Sequence, residues 1–175
     1  MAADEPVFTE RVFEGPLFAV DVERWPDPDR RRDVVRHPGA VAVLPFTADG
    51  RVVLVRQLRE AVRRRLLEAP AGILDVRDED APIAAAREVR EETGMAVRDV
   101  RELHAIYTSP GFVDETIRLF VAAVDEGVAA APAEEGIEVV VLPREEAVAM
   151  ARSGAIADAK TALLLLLTEE RGGVG

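Results

Sequence analysis

Arg87-Glu88-Val89-Arg90-Glu91-Glu92-Thr93-Gly94 is the stretch that decides how this chain is organised. Glu88, Glu91 and Glu92 stand at i, i+3 and i+4, a spacing that brings three carboxylates onto one face of a helix. Like charges so placed oppose one another by about 0.2–0.5 kcal/mol per pair, and in the last turns they also face the negative end of the helix dipole. A divalent cation would relieve both faults, because Mg²⁺ or Mn²⁺ accepts two or three carboxylate oxygens together with water. The competing reading is a solvated face on which Arg87 and Arg90 neutralise the acids locally.

Outward from that stretch, Pro82 suits the first turn of the helix and Gly94 suits a left-handed end, so a helix is expected over residues 82–93. Ala85, Ala86 and Val89 give it an apolar side. Upstream, residues 40–46 and 52–55 are apolar and flank the turn-forming Thr47-Ala48-Asp49-Gly50, which predicts a β-hairpin. Residues 56–65 are polar and basic, residues 66–69 are apolar again, and Pro70-Ala71-Gly72 predicts a tight turn. Downstream, residues 97–107, 116–124 and 137–142 predict strands, and residues 144–152 and 158–167 predict helices joined at Ser153-Gly154. Strands and helices mixed without regular alternation imply an α+β fold, a layered α/β/α domain with a mixed sheet. Residues 1–39, with short β-like stretches broken at Gly15-Pro16 and around Pro26 and Pro28, predict an N-terminal β arm. The main domain is placed at residues 40–170, and residues 171–175 are expected to fray.

Composition narrows the chemistry. The 175 residues contain no Cys, which excludes disulfides, thiol nucleophiles and thiolate metal sites, and leaves carboxylates, two His and backbone oxygens as ligands. A net charge of −11 argues against nucleic acid as a partner. The start of the chain has neither a basic region nor an apolar stretch, and the apolar run at residues 162–167 is far too short for a bilayer span, so the cytoplasm is expected and no membrane partner is. His37 precedes Pro38 at a strand entrance and His104 lies within a strand, so both are expected to be structural.

The segment from Glu79 through Arg87-Glu88-Val89-Arg90-Glu91-Glu92-Thr93-Gly94-Met95 resembles the Nudix box completely. Upstream the likeness departs by one residue. Six residues separate Gly72 from Glu79 where the family has five, so either the loop bulges or Asp78 takes the place of Glu79. The likeness extends to Arg36-His37-Pro38-Gly39-Ala40, Val55-Arg56-Gln57-Leu58-Arg59, Leu67-Glu68-Ala69-Pro70-Ala71-Gly72 and Asp158-Ala159-Lys160-Thr161, which look like segments of ADP-ribose pyrophosphatases.

The resemblance implies metal-dependent hydrolysis of the pyrophosphate bond of ADP-ribose, a small nucleotide-sugar substrate, to AMP and ribose 5-phosphate. Mg²⁺ or Mn²⁺ would be held by Glu88, Glu91, Glu92 and the carbonyl of Ala71, while Arg87 orients the acid face by reaching Glu91. A general base would come from a loop after the box, at Glu135 or Glu134. Arg59 would contact phosphate, Phe112 would wall the nucleotide, and Glu115 would accept a ribose hydroxyl. Pro110 stands sixteen residues after Gly94, the family's mark of ADP-ribose hydrolases. Trp25 is open to two readings, a platform for adenine across a dimer interface or plain packing. The arm would exchange in a homodimer. Hydrolysis of other nucleotide sugars or nucleoside triphosphates, and a non-catalytic ADP-ribose sensor, are the alternatives.

Overall fold

A computed structural model of the chain describes residues 5–74, 79–125 and 136–169. Asp78, Glu134, Glu135 and the tail at residues 171–175 lie outside the described residues. The chain divides into two compact units, Met1–Ala40 with Ala105–Ile117, and Val41–His104 with Arg118–Gly175.

The first unit is built on an antiparallel three-stranded meander of β1 (Phe8–Glu14), β2 (Ala19–Arg24) and β3 (Arg31–Arg36). Period-2 alternation turns Ala19, Asp21 and Glu23 of β2 inward. Two of these three are carboxylates, so the arm has a charged interior that must be paired to be tolerated. Arg11 Nε donates to Asp21 Oδ1 at 2.9 Å, Arg36 Nε donates to Asp21 Oδ2 at 3.0 Å, and Arg36 Nη2 donates to Glu23. The hydrogen bond from Arg11 is the leading reason that the Asp21 carboxyl stays below its ordinary pKa; burial opposes it and Arg36 assists. The loop of residues 108–115 is tied to the same sheet. Val35 N–H donates to Phe112 O at 2.8 Å and Asp114 N–H to Val35 O at 3.1 Å, while Arg36 Nη1 donates to Asp114 at 3.1 Å.

The second unit holds a seven-stranded mixed sheet. Its order is β10 (Glu138–Leu142), β5 (Val52–Arg59), β4 (Ala40–Phe46), β9 (Thr116–Asp125) and β8 (Ala96–Tyr107), with β6 (Arg64–Glu68) paired to β5 and β7 (Ala71–Ile73) paired to β4. Val41, Val43, Val53, Phe120, Ala122 and Val124 share one buried face with Ala81, Ala84, Ala85 and Val89 of α1 (Ala81–Thr93). The alternating residues Ala42, Leu44, Leu54, Leu119 and Val121 are also buried, so both faces of the sheet are covered. The remaining buried apolar side chains include Ala147 and Val148 of α2 (Arg144–Ser153) and Leu164 and Leu165 of α3 (Ala159–Glu169). No helix among the described residues is long and apolar enough to cross a membrane.

Two local expectations need correction. Pro70-Ala71-Gly72 forms no tight turn; Ala71–Ile73 is a short strand beside β4, entered through Pro70, whose carbonyl accepts from Val43 N–H at 2.9 Å. Proline lacks a donor but not an acceptor, so it can lead into a strand. The polar run after Val55 does not end the strand either. β5 continues to Arg59 and turns back through Arg63, a non-glycine residue at φ 53°, into β6. Long arginine stems lie along a sheet while their heads reach water, so charge there did not mark a loop.

Candidate active site

The acid helix is anchored before it is charged. Pro82 occupies its first turn, and Gly94 ends it at φ 71°, with its N–H returned to Arg90 O. Its small side chains press Ala84, Ala85 and Val89 onto the sheet, and the same rotation carries Glu88 and Glu92, one turn apart, into burial at 9% and 6% exposure. Glu91 remains outside, its side chain 57% exposed. Glu88 and Glu92 therefore do not lie on a solvated face, while Arg87 pairs with Glu88 and Glu91 as the local-neutralisation reading expects.

Glu88 is accommodated by a missing side chain. A β-carbon at Gly72 would overlap the Glu88 carboxyl carbon and both of its oxygens, so glycine leaves open the space that this carboxylate fills. Ala71, immediately before it, brings its backbone to the same end of β7. Arg87 gathers the acids from the other side. Its Nη1 donates to Glu88 at 2.7 Å and to Glu91 at 2.9 Å, and its Nη2 donates to Glu79 at 3.1 Å. The hydrogen bond to Glu79 is the main reason that the guanidinium is held even more firmly protonated than usual, against the effect of burial. Of the two candidates left open in the loop, Glu79 therefore has a structural partner in Arg87.

Arg59 does not point freely at a ligand. Its Nε and Nη2 both donate to Glu68 at 2.8 Å, and Lys160 Nζ donates to the same carboxylate at 2.5 Å. Glu68 is 1% exposed. Burial alone would raise its pKa, but Arg59 and Lys160 more than offset this and hold it below the ordinary carboxylate range. Arg59 is raised in turn, first by its hydrogen bond to Glu68, with the charges of Glu92 and Asp158 adding to it. Arg59 thus lies in the electrostatic field of the acid helix while two of its nitrogens are committed elsewhere.

Residue 68 was not foreseen as a site residue. Its pairing with Lys160 spans ninety-two positions, and α3 is fixed there because Asp158 caps it: Thr161 N–H donates to Asp158 Oδ2 at 3.0 Å, and Thr161 Oγ1 accepts from Ala69 N–H at 2.7 Å. The signal available was indirect, since both segments look like family segments but neither announces the other.

Pro110, Phe112 and Glu115 belong to the first unit. Ser109 O accepts from the N–H groups of Phe112 and Val113, both at 3.1 Å, which makes the compact turn after Pro110. Phe112 is 57% exposed, and Glu115 accepts from Thr108 Oγ1 at 2.8 Å. His37 Nδ1 accepts from Gly39 N–H at 3.1 Å and lies 3.6 Å from Glu115 Oε1, while its backbone N–H donates to Asp114 Oδ1 at 2.9 Å.

The donor set of Glu88, Glu91, Glu92 and Ala71 O fits a hard cation by atom type, and the Gly72 approach fits a carboxylate held against backbone. Among the described residues, however, no three His, Asp or Glu side chains already converge on one point. Arg87 supplies the counter-charge in this arrangement.

Comparison with known proteins identifies the family. The NUDIX domain model matches residues 35–165. An ADP-ribose pyrophosphatase of Bacillus subtilis (strain 168) is 37% identical over 163 residues, covering 91% of this chain and 86% of that protein. A methanol dehydrogenase activator of Bacillus methanolicus is 34% identical over 166 residues, covering 91% of this chain and 89% of its own length. A GDP-mannose pyrophosphatase of Cronobacter sakazakii (strain ATCC BAA-894) is 38% identical over 156 residues, covering 81% and 79%. With a family match that spans most of the chain and contains the helix that buries Glu88 and Glu92, this protein belongs to the Nudix hydrolases.

Proposed function

We propose that this Nudix hydrolase cleaves the pyrophosphate bond of ADP-ribose, yielding AMP and ribose 5-phosphate, with Mg²⁺ or Mn²⁺ as its divalent cation. The observation that carries the reading is the burial of Glu88 against Gly72 beside Ala71, in a chain most of whose length aligns with an ADP-ribose pyrophosphatase. A buried carboxylate held against backbone is costly without a cation or strong donors to face it. Glu88, Glu91, Glu92 and the Ala71 carbonyl are assigned to the metal. When bound, it neutralises phosphate charge and lowers the pKa of the attacking water.

The chain's own groups supply the rest. Arg87 keeps Glu88 and Glu91 from repelling one another and sets their rotamers. Arg59, pinned by Glu68, offers its remaining Nη1 edge to a phosphate oxygen without having to be immobilised on binding. A general base has to accept the proton of the attacking water, and Glu135 is assigned that role, with Glu134 the alternative. Gly136, the chain neighbour of Glu135, accepts from Arg65 Nη1 at 3.2 Å, and Glu138 Oε2 accepts from Arg56 Nη1 at 3.4 Å. Arg65 lies on β6 opposite Leu58, next to Arg59 of β5, and Arg56 lies on β5 opposite Glu138. Pro110, Phe112 and Glu115 are assigned to the substrate, Phe112 as an apolar wall and Glu115 as acceptor for a ribose hydroxyl.

A homodimer formed through the arm belongs to the same reading. Every residue of β1 is exposed, including Phe8 and Phe13 at 49% each and Val12 at 55%, apolar side chains that a second copy would cover. The cytoplasm is the proposed place of action.

The activity is tested by following ADP-ribose with phosphorus NMR in the presence of Mg²⁺: AMP and ribose 5-phosphate should be the only products. Glu135→Gln should lower turnover and leave metal affinity intact, and if it has no effect alone or with Glu134→Gln, the assignment of the base fails. Light scattering should give a dimer mass; a fully active monomer would refute the exchanged arm.

A further inference from the structure

Glu68 ends β6 and Ala69 follows it, and these two chain neighbours are gripped by two chain neighbours of α3. Lys160 Nζ donates to Glu68 Oε2 at 2.5 Å, and Thr161 Oγ1 accepts from Ala69 N–H at 2.7 Å. Asp158 joins the two grips. Its Oδ1 accepts from Lys160 Nζ at 2.8 Å, and its Oδ2 accepts from Thr161 N–H at 3.0 Å and from Thr161 Oγ1 at 2.5 Å. The single hydroxyl proton of Thr161 is thus given to Asp158, which leaves a lone pair for Ala69. Ala69 and Thr161 are wholly buried, so water does not stand in for that bond.

Each grip leads to a different half of the site. From Ala69 the chain runs through Pro70, whose carbonyl accepts from Val43 N–H at 2.9 Å, to Ala71, whose carbonyl is assigned to the cation. With Ala69 held by α3 and Pro70 held by β4, few soft dihedrals remain to move the Ala71 carbonyl. From Glu68 the oxygen that takes Lys160 also takes Arg59 Nη2 at 2.8 Å, while Oε1 takes Arg59 Nε at 2.8 Å. Lys160 therefore steadies the carboxylate that steadies Arg59. The charges alternate from Arg59 through Glu68 and Lys160 to Asp158 and cancel. Without the ammonium, two carboxylates would face one guanidinium, and a phosphate would meet a negative corner. Lys160 is the sole lysine of the chain, all its other cationic side chains being arginines or histidines. A compact ammonium with three rotatable donors suits a point between two carboxylates better than a planar fork does.

Given the assignment of the Ala71 carbonyl to the cation and of Arg59 to phosphate, we propose that the first turn of α3 positions both halves of the site: Thr161 aims the Ala71 carbonyl through Ala69, and Lys160 aims Arg59 through Glu68. Both are positioning residues, and they act on separable quantities. Thr161 governs affinity for the cation, and Lys160 governs affinity for the substrate's phosphates.

The test crosses two variants with two readouts on the full-length enzyme: Mn²⁺ binding by calorimetry without substrate, and steady-state kinetics on ADP-ribose at saturating Mn²⁺, each beside a melting curve. Thr161→Val keeps the shape of the side chain and deletes the hydroxyl. It should weaken Mn²⁺ binding about tenfold, the lower end for residues that orient metal ligands, and leave KM within about twofold. Lys160→Met should raise KM about tenfold, with kcat and Mn²⁺ affinity nearly kept. Two further variants give results that a loss of stability alone would not produce. Thr161→Ser should restore Mn²⁺ affinity, and Lys160→Met added to Arg59→Ala should raise KM no further. Should Thr161→Val fail to fold, Thr161→Ala deletes the same hydroxyl while giving water room at Ala69 N–H, and the same loss of Mn²⁺ affinity is expected. Unchanged Mn²⁺ affinity without the Thr161 hydroxyl, unchanged KM in Lys160→Met, or equal shifts of both readouts in either variant would overturn the proposal. Glu92→Gln and Arg59→Ala measured alongside separate the two levels. If they shift Mn²⁺ affinity and KM while the α3 variants do not, only the role of α3 falls; if they shift neither, the assignments themselves fall and the role of α3 with them.

Discussion

The β-carbon that Gly72 lacks and the carboxyl group of Glu88 claim the same space: a methyl group at position 72 would overlap the Glu88 Cδ and both carboxylate oxygens. The overlap falls on the end of a side chain and not on backbone, so Gly72→Ala should fold and instead push Glu88 out of place. Turnover should fall about 10–100-fold, the usual cost of displacing groups that order a metal site, with thermal stability nearly kept. Steady-state kinetics beside a melting curve checks this, and wild-type kcat in Gly72→Ala would mean that Glu88 does not act from this position.

Glu92 is buried one helical turn from Glu88, and Glu92→Gln keeps its volume while removing an anion. The variant should retain its fold and lose most activity at saturating Mg²⁺. Near-wild-type turnover there would remove Glu92 from the metal set.

Glu68 gives a pH prediction with a definite sign. Its folded pKa lies below the ordinary 4.5, so its contribution to stability is complete above about pH 4.5 and is lost as pH falls through the lower folded value. At neutral pH Glu68→Gln should cost about 2 kcal/mol, nearer the lower end for a charged hydrogen-bonded group because the Arg59 side chain is 39% exposed. Urea denaturation from neutral pH down to about pH 3 should show the gap between wild type and variant closing only in acid. A gap independent of pH would show that the Glu68 charge is not what stabilises this corner.

The acid helix was legible because its signals are local: Pro82, Gly94 and three glutamates at i, i+3 and i+4 all lie within one short stretch, and the observed helix runs Ala81–Thr93. The hairpin around Asp49-Gly50 was legible for the same reason. What could not be read is what depends on partners distant in sequence. Nothing near Glu68 indicates that Arg59 and Lys160 share its carboxylate, and nothing near Gly72 indicates that Glu88 fills its missing side chain. The strand at Ala71–Ile73 was mistaken for a turn because Pro-Ala-Gly carries turn chemistry, while its pairing is decided by β4.

In the loop after β8, Glu115 is preset by Thr108 at 2.8 Å, so its acceptor oxygens are ordered before any ligand arrives. Glu115→Ala should lower kcat/KM for ADP-ribose more than for a nucleotide without a second sugar, because a site built around a ribose hydroxyl discriminates through that bond. Equal losses on the two substrates would assign Glu115 to the turn and not to the ribose.

The central claim is tested most directly by kcat/KM across a panel of ADP-ribose, GDP-mannose, ADP-glucose and nucleoside triphosphates, with Mg²⁺ or Mn²⁺ present and products identified by mass. ADP-ribose should be the best substrate and should give only AMP and ribose 5-phosphate. A preference of about tenfold for GDP-mannose, ADP-glucose or a triphosphate, equivalent to about 1.4 kcal/mol in transition-state binding, would contradict it.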